Sequence, residues 1–252
     1  MGRQVSRAVL SESELELTGA VDTNPSFQGK DVGELLGMEP SGILIEDNLN
    51  SALAKQPDVM VDFTHPQSVM DNIRKAISTG IHTVVGTTGI KGEDLVEIEN
   101  LLRSRPSNVF IAPNFAIGAV LMMEFSKIAA NYLKACEIIE LHHGEKADSP
   151  SGTALKTAKG MGLPPKERLT LNETETIEGV RGGMVDGVHI HSVRLPGLVA
   201  HQEVIFGGVG QTLTIRHDSI SRESFMPGVI MAIKAVGQRR GLTYGLEHLL
   251  EI

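Results

Sequence analysis

Ile138-Ile139-Glu140-Leu141-His142-His143-Gly144-Glu145-Lys146-Ala147-Asp148-Ser149-Pro150-Ser151-Gly152-Thr153-Ala154 organises the chain. Its apolar lead-in, Ile138-Ile139, reads as a buried strand, and Ala154 to Met161 reads as a helix. Two histidines and a lysine thus sit just beyond a strand end, and Ser151-Gly152-Thr153 opens a helix. Each feature alone has a plain reading. A His-His pair can be ordinary polar surface or core, Ser-Gly before a helix can be a cap, and a single lysine is solvated. Together they suit a proton-transfer site that also holds an anion, because histidine titrates near neutrality and a helix N-terminus attracts negative charge.

Upstream, strand and helix signals alternate. Helices are expected over Gly2 to Ser11, Asn48 to Lys55, Gln67 to Ser78 and Glu93 to Ser104. Strands are expected over Leu15 to Val21, Ile43 to Glu46, Val59 to Phe63, Thr83 to Val85 and Val109 to Ile111. Mostly apolar strands of this kind belong to a parallel sheet covered by helices, hence an α/β class. Three strand ends carry small or polar loops: Asp62-Phe63-Thr64, Gly86-Thr87-Thr88-Gly89 and Ala112-Pro113-Asn114-Phe115. Ligands of open α/β sheets bind beyond the carboxyl ends of the strands, so the three loops point to one crevice, although each could be an ordinary turn. Asp22 has the place of the strand-end acid that binds a ribose hydroxyl in dinucleotide folds, with a plain strand-end aspartate as the other reading.

After Phe115 the pattern changes. A helix over Ile117 to Leu133 leads into the opening stretch, followed by a polar, Gly-rich region, Leu171 to Gly187. Strand candidates follow over Val188 to Leu195, Ala200 to Phe206 and Gln211 to His217, and a last helix over Phe225 to Arg240 needs a sheet to cover. His189 and His191 share a face of their strand, but no third ligand is evident and no metal site is expected.

Composition narrows the classes. The chain has 252 residues, 41% hydrophobic and 21% charged, enough for a large packed core in one or two domains. A formal net charge of -8 argues against non-specific nucleic-acid binding, so an acidic ligand needs a local positive cluster. The single cysteine, Cys136, excludes an internal disulfide and reads as a buried, inert thiol. With no apolar run of membrane-spanning length and no signal peptide visible, a soluble protein of the cytoplasm is expected, with no membrane partner.

The Glu140 to Ala154 motif resembles the dihydrodipicolinate reductase family of lysine and diaminopimelate biosynthesis. Its marks are the His142-His143 pair, Lys146 three residues on, and the run Asp148-Ser149-Pro150-Ser151-Gly152-Thr153-Ala154. Asp62-Phe63-Thr64, Gly86-Thr87-Thr88-Gly89, Asn114-Phe115 and Gly187 to Glu203 match as well. The resemblance implies a Rossmann-type dinucleotide-binding domain, residues 1–113 and 220–252, and an α+β substrate and tetramerisation domain, residues 114–219. It implies reduction of a cyclic dicarboxylate, 4-hydroxy-tetrahydrodipicolinate, by NADH or NADPH with loss of water. His142 would then be the proton donor or acceptor, and Lys146 a proton donor or substrate anchor. His143, Gly152 and Thr153 would touch the substrate carboxylates. Gly86, Thr87, Thr88, Ala112, Pro113, Asn114 and Phe115 would touch the cofactor, with Asp22 near the adenosine ribose. A homotetramer built through the substrate-domain sheet is implied too. Two other readings stand beside it: another reductase of this architecture, such as an aspartate or homoserine dehydrogenase, and a nucleotide-sensing module without catalysis. Against the sensor, His142, His143 and Lys146 supply proton-transfer groups that sensing does not need. One departure is visible. The family opens with a strand and a Gly-rich loop ending in Gly-Arg-Met-Gly-Arg, whereas this chain opens at Met1-Gly2-Arg3. The first strand and most of the loop are therefore expected to be missing, with Met1 not the natural start. The strands near Leu17 to Val21 and Val59 to Phe63 would then lose a shared neighbour and either re-pair or fold poorly.

Overall fold

A computed structural model describes residues 1–163 and 174–252. In chain order the elements are α1 (Gly2–Ser11), β1 (Ala20–Val21), α2 (Val32–Leu35), β2 (Ile45–Glu46), α3 (Leu49–Ala54), β3 (Val59–Asp62), α4 (Val69–Ser78), β4 (His82–Val85), α5 (Gly92–Leu102) and β5 (Val109–Ile111). There follow α6 (Ile117–Ala130), β6 (Ala135–His142), α7 (Gly152–Met161), β7 (Gly183–Val185), β8 (Val188–Arg194), β9 (Ala200–Gly208), β10 (Gln211–Ser219), α8 (Met226–Val236) and β11 (Leu242–Tyr244). The chain divides into two units, one of Met1–Phe115 with Phe225–Glu251, the other of Ala116–Ser224 with Ile252.

The first unit is built on a parallel sheet of order β11-β5-β4-β3. Parallel strands need a crossover, and α4 and α5 provide two. On α4 the apolar residues Val69, Ile73, Ala76 and Ile77 recur at helical spacing and are buried. Val69, Ile73 and Ile77 pack with Ile98 and Leu102 of α5 and with Val85, Val109 and Ile111 of the strands. The C-terminal helix α8 comes so close that a Cβ on Gly228 would lie 2.2 Å from the Phe115 carbonyl oxygen. Gly228→Ala should therefore cost about 1–3 kcal/mol of stability or more, measured by urea unfolding. An unchanged midpoint would show that the helix can move away.

Several expectations change here. The strand expected over Leu15 to Val21 is only Ala20–Val21, and it pairs in parallel with β2 as a separate two-stranded sheet. No ladder joins β1 to β3 among the described residues, so those strands do not re-pair. The short helix α2 was not expected. It starts because Asp31 caps it: its Oδ1 accepts from the N–H of Glu34 at 3.1 Å and of Ser41 at 2.9 Å, and its Oδ2 from that of Gly42 at 2.7 Å. The C-terminal helix is followed by β11, which completes the sheet it covers.

The second unit is a five-stranded sheet of order β10-β9-β6-β8-β7. The expected Gly-rich region begins outside the described residues, but its end forms β7, which returns into β8 through Asp186-Gly187. Both turn residues have positive φ, 47° and 84°, the geometry that Asp-Gly accepts in a two-residue hairpin. Cys136 lies within β6 rather than beside it and is half-buried, not fully buried. Burial pushes its thiol up to about 12, which keeps it protonated and unreactive. No helix among the described residues is long and apolar enough to cross a membrane.

Candidate active site

In the second unit β6 supplies the site from alternate positions, because side chains of a strand change faces at every residue. Cys136, Ile138, Glu140 and His142 share the face that meets α7. There Cys136 Sγ lies 3.8 Å from Met161 Sδ, and on neighbouring β9 the Gln202 amide donates to Thr157 Oγ1 at 2.8 Å. Glu140 is consequently a carboxylate in the middle of a sheet with no exposed surface. An unpaired charge there would be very costly, and the structure surrounds it with donors. Arg194 Nη1 donates to Oε2 at 2.9 Å and Nη2 to Oε1 at 2.7 Å. The Ser151 N–H donates to Oε1 at 3.3 Å, and His142 Nδ1 lies 2.5 Å from Oε2. Burial by itself would raise the Glu140 carboxyl, but hydrogen bonds from Arg194, Ser192 and His142 outweigh it and hold the group below the ordinary carboxylate range.

A carboxylate on Nδ1 requires the proton there, so Nε2 is the acceptor of the neutral ring. Burial lowers the His142 pKa below the usual histidine value. Glu140 works against this, while the positive charges of Lys146 and Arg194 add to it.

Past β6 the chain turns through Gly144 and Glu145, and Lys146 Nζ reaches Asp148 Oδ1 at 2.6 Å. Lys146 holds the Asp148 carboxyl below its ordinary value. The Ser149-Pro150 peptide is cis, and Ser151 then caps α7 by accepting the Ala154 N–H at 3.2 Å. Gly152 and Thr153 are the first residues of that helix, and His143 and Gly152 are exposed. The structure therefore brings His142, Lys146 and the start of α7 around one guanidinium, since Arg194 Nη2 also donates to the Asp148 carbonyl at 2.7 Å. Glu140 and Arg194 had no assigned role in the sequence reading. A visible signal for Glu140 was a charged residue in an apolar strand, two positions before the histidine.

In the first unit, β3, β4 and β5 run in register, Asp62 beside Val85 and Val85 beside Ile111, so the three expected loops leave the sheet side by side. Asp62 is buried and ties two of them together, with Oδ1 accepting from Thr87 Oγ1 at 2.6 Å and from the Thr64 N–H at 3.0 Å. The Phe63 ring lies over Gly86 so tightly that a Cβ there would fall 2.0 Å from its edge. The same ring stands 5.7 Å from that of Phe115. Asp22 lies apart from this group. With Gly2, Arg3, Ser6 and Phe27 it lines a cavity of about 90 Å³ at the start of α1. That helix has no acidic residue in its first turn and no side-chain cap, which leaves its positive end suited to an anion. The Asp22 carboxylate and the start of α1 thus line one small cavity. Among the described residues no group of three His, Cys, Asp or Glu side chains is placed to hold a metal ion, and His191 is engaged by Glu137 at 2.8 Å.

Residues 1–115 match the dihydrodipicolinate reductase N-terminal model and residues 118–250 the corresponding C-terminal model. The chain belongs to the dihydrodipicolinate reductase family. Among relatives, the 4-hydroxy-tetrahydrodipicolinate reductase of Desulfitobacterium hafniense (strain DSM 10664 / DCB-2) is 52% identical over 100% of this chain and 95% of its own length. The Moorella thermoacetica enzyme of the same name is 49% identical over 100% of this chain and 94% of its own length. A solved structure of a dipicolinate-bound dihydrodipicolinate reductase from Paenisporosarcina sp. TG-14 superposes with a TM-score of 0.85. It is 42% identical and covers 99% of this chain and 95% of its own. An amine dehydrogenase from Mycobacterium smegmatis shares the fold alone, at a TM-score of 0.66 and 13% identity, over 96% of this chain and 91% of its own. Membership gives the first unit its Rossmann-type character and marks the chain as a member of a family of nicotinamide-dependent reductases.

Proposed function

We propose that this chain catalyses the reduction of 4-hydroxy-tetrahydrodipicolinate to tetrahydrodipicolinate, with loss of water, at the expense of NADH or NADPH in the route to diaminopimelate and lysine. Relatives of that name at about half identity over the whole chain support it. The observation that carries it is the His142 ring anchored through Nδ1 to a buried carboxylate, with Lys146 on the loop that follows.

The bound nicotinamide supplies a hydride. What the chain must supply is a proton for the neighbouring carbon and a cradle for two carboxylates. His142 exchanges the proton at Nε2. Lys146, His143 and the Gly152-Thr153 start of α7 hold the carboxylates, placing positive charge where a net-negative chain needs it. On the first unit Gly86, Thr87, Thr88 and Ala112 to Phe115 would contact the cofactor, with Asp22 near the adenosine ribose. Purified protein should oxidise NADH or NADPH only when the substrate is present, followed by loss of nicotinamide absorbance. No oxidation with either cofactor overturns the reading.

The choice of cofactor follows from Asp22 and Thr23. A strand-end carboxylate accepts from a ribose diol and repels a phosphate, and threonine offers no compensating charge. NADH should serve at least as well as NADPH in steady-state kinetics, and a strong NADPH preference would refute this.

The reading extends to a homotetramer through the second unit's sheet. Ile139, Leu141, Val193 and Ile205 fall on the side opposite Glu140 and Gln202, half-buried and away from α7. Light scattering that finds a monomer at assay concentration rejects this part. A cytoplasmic setting belongs to the same reading, supported by a lone free thiol and no disulfide.

A further inference from the structure

Resting on that proposed reaction, we infer that Glu140 and Arg194 are positioning residues that fix both proton-handling groups at once. The Glu140 carboxylate selects Nε2 of His142 as the proton-exchanging atom, and Arg194 couples that ring to the loop bearing Lys146.

The geometry is a continuous chain of bonds. His142 Nδ1 meets Glu140 Oε2 at 2.5 Å, and the same carboxylate receives both Nη groups of Arg194 at 2.9 and 2.7 Å. Arg194 Nη2 continues to the Asp148 carbonyl at 2.7 Å, and the Asp148 carboxylate holds Lys146 Nζ at 2.6 Å. Glu140 is wholly buried, and the side chains of His142 and Arg194 retain only 14% and 18% of their exposure. Water therefore competes weakly for the bonds among these three side chains, whereas the Asp148 carboxylate that holds Lys146 keeps 59% of its exposure. Register adds to the constraint: Arg194 is the partner of His142 across the parallel β6–β8 ladder, so guanidinium and imidazole leave neighbouring strand ends on one face.

A bidentate guanidinium does here what a lysine could not. Its planar fork satisfies both carboxylate oxygens and still has an N–H for a carbonyl in another segment. The cation also shares the carboxylate's charge, so Glu140 orients the imidazole without holding its proton as firmly as an unshared carboxylate would. That agrees with a ring whose proton affinity is reduced.

Glu140→Gln should break the arrangement in a defined way. An amide offers one acceptor oxygen and one NH2, and each Glu140 oxygen takes two of these bonds, so two donors must face another donor. Wild-type protein and the Glu140→Gln and Arg194→Lys variants would be studied without ligand by nitrogen NMR of the histidines, with His142 assigned by its loss in His142→Gln. The same proteins would then be assayed for kcat and KM across pH.

In wild type the neutral His142 ring should carry its proton on Nδ1 alone. Glu140→Gln should mix the tautomers and lower kcat by at least about tenfold with KM changed far less. Arg194→Lys, which keeps the charge and loses the fork, should lower kcat, raise KM through the released loop, and move the alkaline limb of the pH profile upward. A wild-type ring protonated on Nε2 overturns the assignment, whether or not Glu140→Gln folds. So does a folded Glu140→Gln with unchanged kcat and tautomer. An Arg194→Lys variant with wild-type kcat, KM and pH profile overturns the coupling. Wild-type protein without turnover would reject the proposed reaction, while the nitrogen spectra still decide the positioning.

Discussion

Turnover of His142→Gln should fall by about a hundred-fold or more, because a glutamine can occupy the place of the ring but has no proton to exchange. The side chain sits at the end of β6 with Nδ1 committed to Glu140, so Nε2 is the atom left to act. Lys146→Ala should behave differently. Its ammonium is a charge on the loop beside Asp148, and its loss should raise the apparent KM for a dicarboxylate more than it lowers kcat. The pH dependence gives a separate check. Glu140, Arg194 and Lys146 face the ring, and burial sets its pKa below the ordinary histidine value. If protonated His142 is the donor, kcat/KM should decline as pH rises through that lowered pKa, with a midpoint below about 6.5. Near-normal turnover in His142→Gln, measured under saturating cofactor, would remove the histidine from the chemistry.

Arg194→Met should destabilise the protein by about 3–5 kcal/mol at neutral pH, the usual consequence of taking one partner from a buried ion pair. Glu140 has no exposed surface through which to recover hydration. The sign of the pH dependence is defined. In wild type the Glu140 pKa is lowered by folding, so its contribution is present above the ordinary carboxylate value and is lost as pH falls through the folded one. In the variant the carboxylate lacks its cation, and protonation relieves it. The gap between variant and wild type should therefore narrow on acidification. Urea unfolding at several pH values tests this, and a deficit under about 1 kcal/mol, independent of pH, would show that the pair contributes little.

What could be read from the sequence depended on how local its cause was. β4 and β5 stand out because their residues are buried on both faces and form continuous apolar runs. The alternating Leu15-Glu16-Leu17-Thr18 imitates a strand, yet its partner β2 is only two residues long and the ladder ends at Ala20–Val21. β7 and β11 are strands by docking against β8 and β5, each only three residues long and too short for a periodicity of its own. The Asp186-Gly187 pair between Val185 and Val188 was the local hint for the first of these. In the site, His142 and Lys146 announce themselves by clustering. Arg194 does not, since it stands 54 residues from Glu140 and only the β6–β8 register joins them. Asp62 was visible merely as a strand-end residue, and its hold on Thr87 depends on two loops being brought side by side.

That separation of 54 residues between Glu140 and Arg194 also bears on how the second unit assembles. The β9–β10 hairpin closes over Val209-Gly210 and pays almost no loop entropy, while joining β6 to β8 requires a long parallel crossover to close first. Without β8, burying Glu140 would leave its carboxylate without the Arg194 guanidinium, a costly state. The β6–β8 ladder is therefore expected to close late. Pulse-labelled hydrogen exchange during refolding should protect β9 and β10 amides before those shared by β6 and β8, and the reverse order would contradict it.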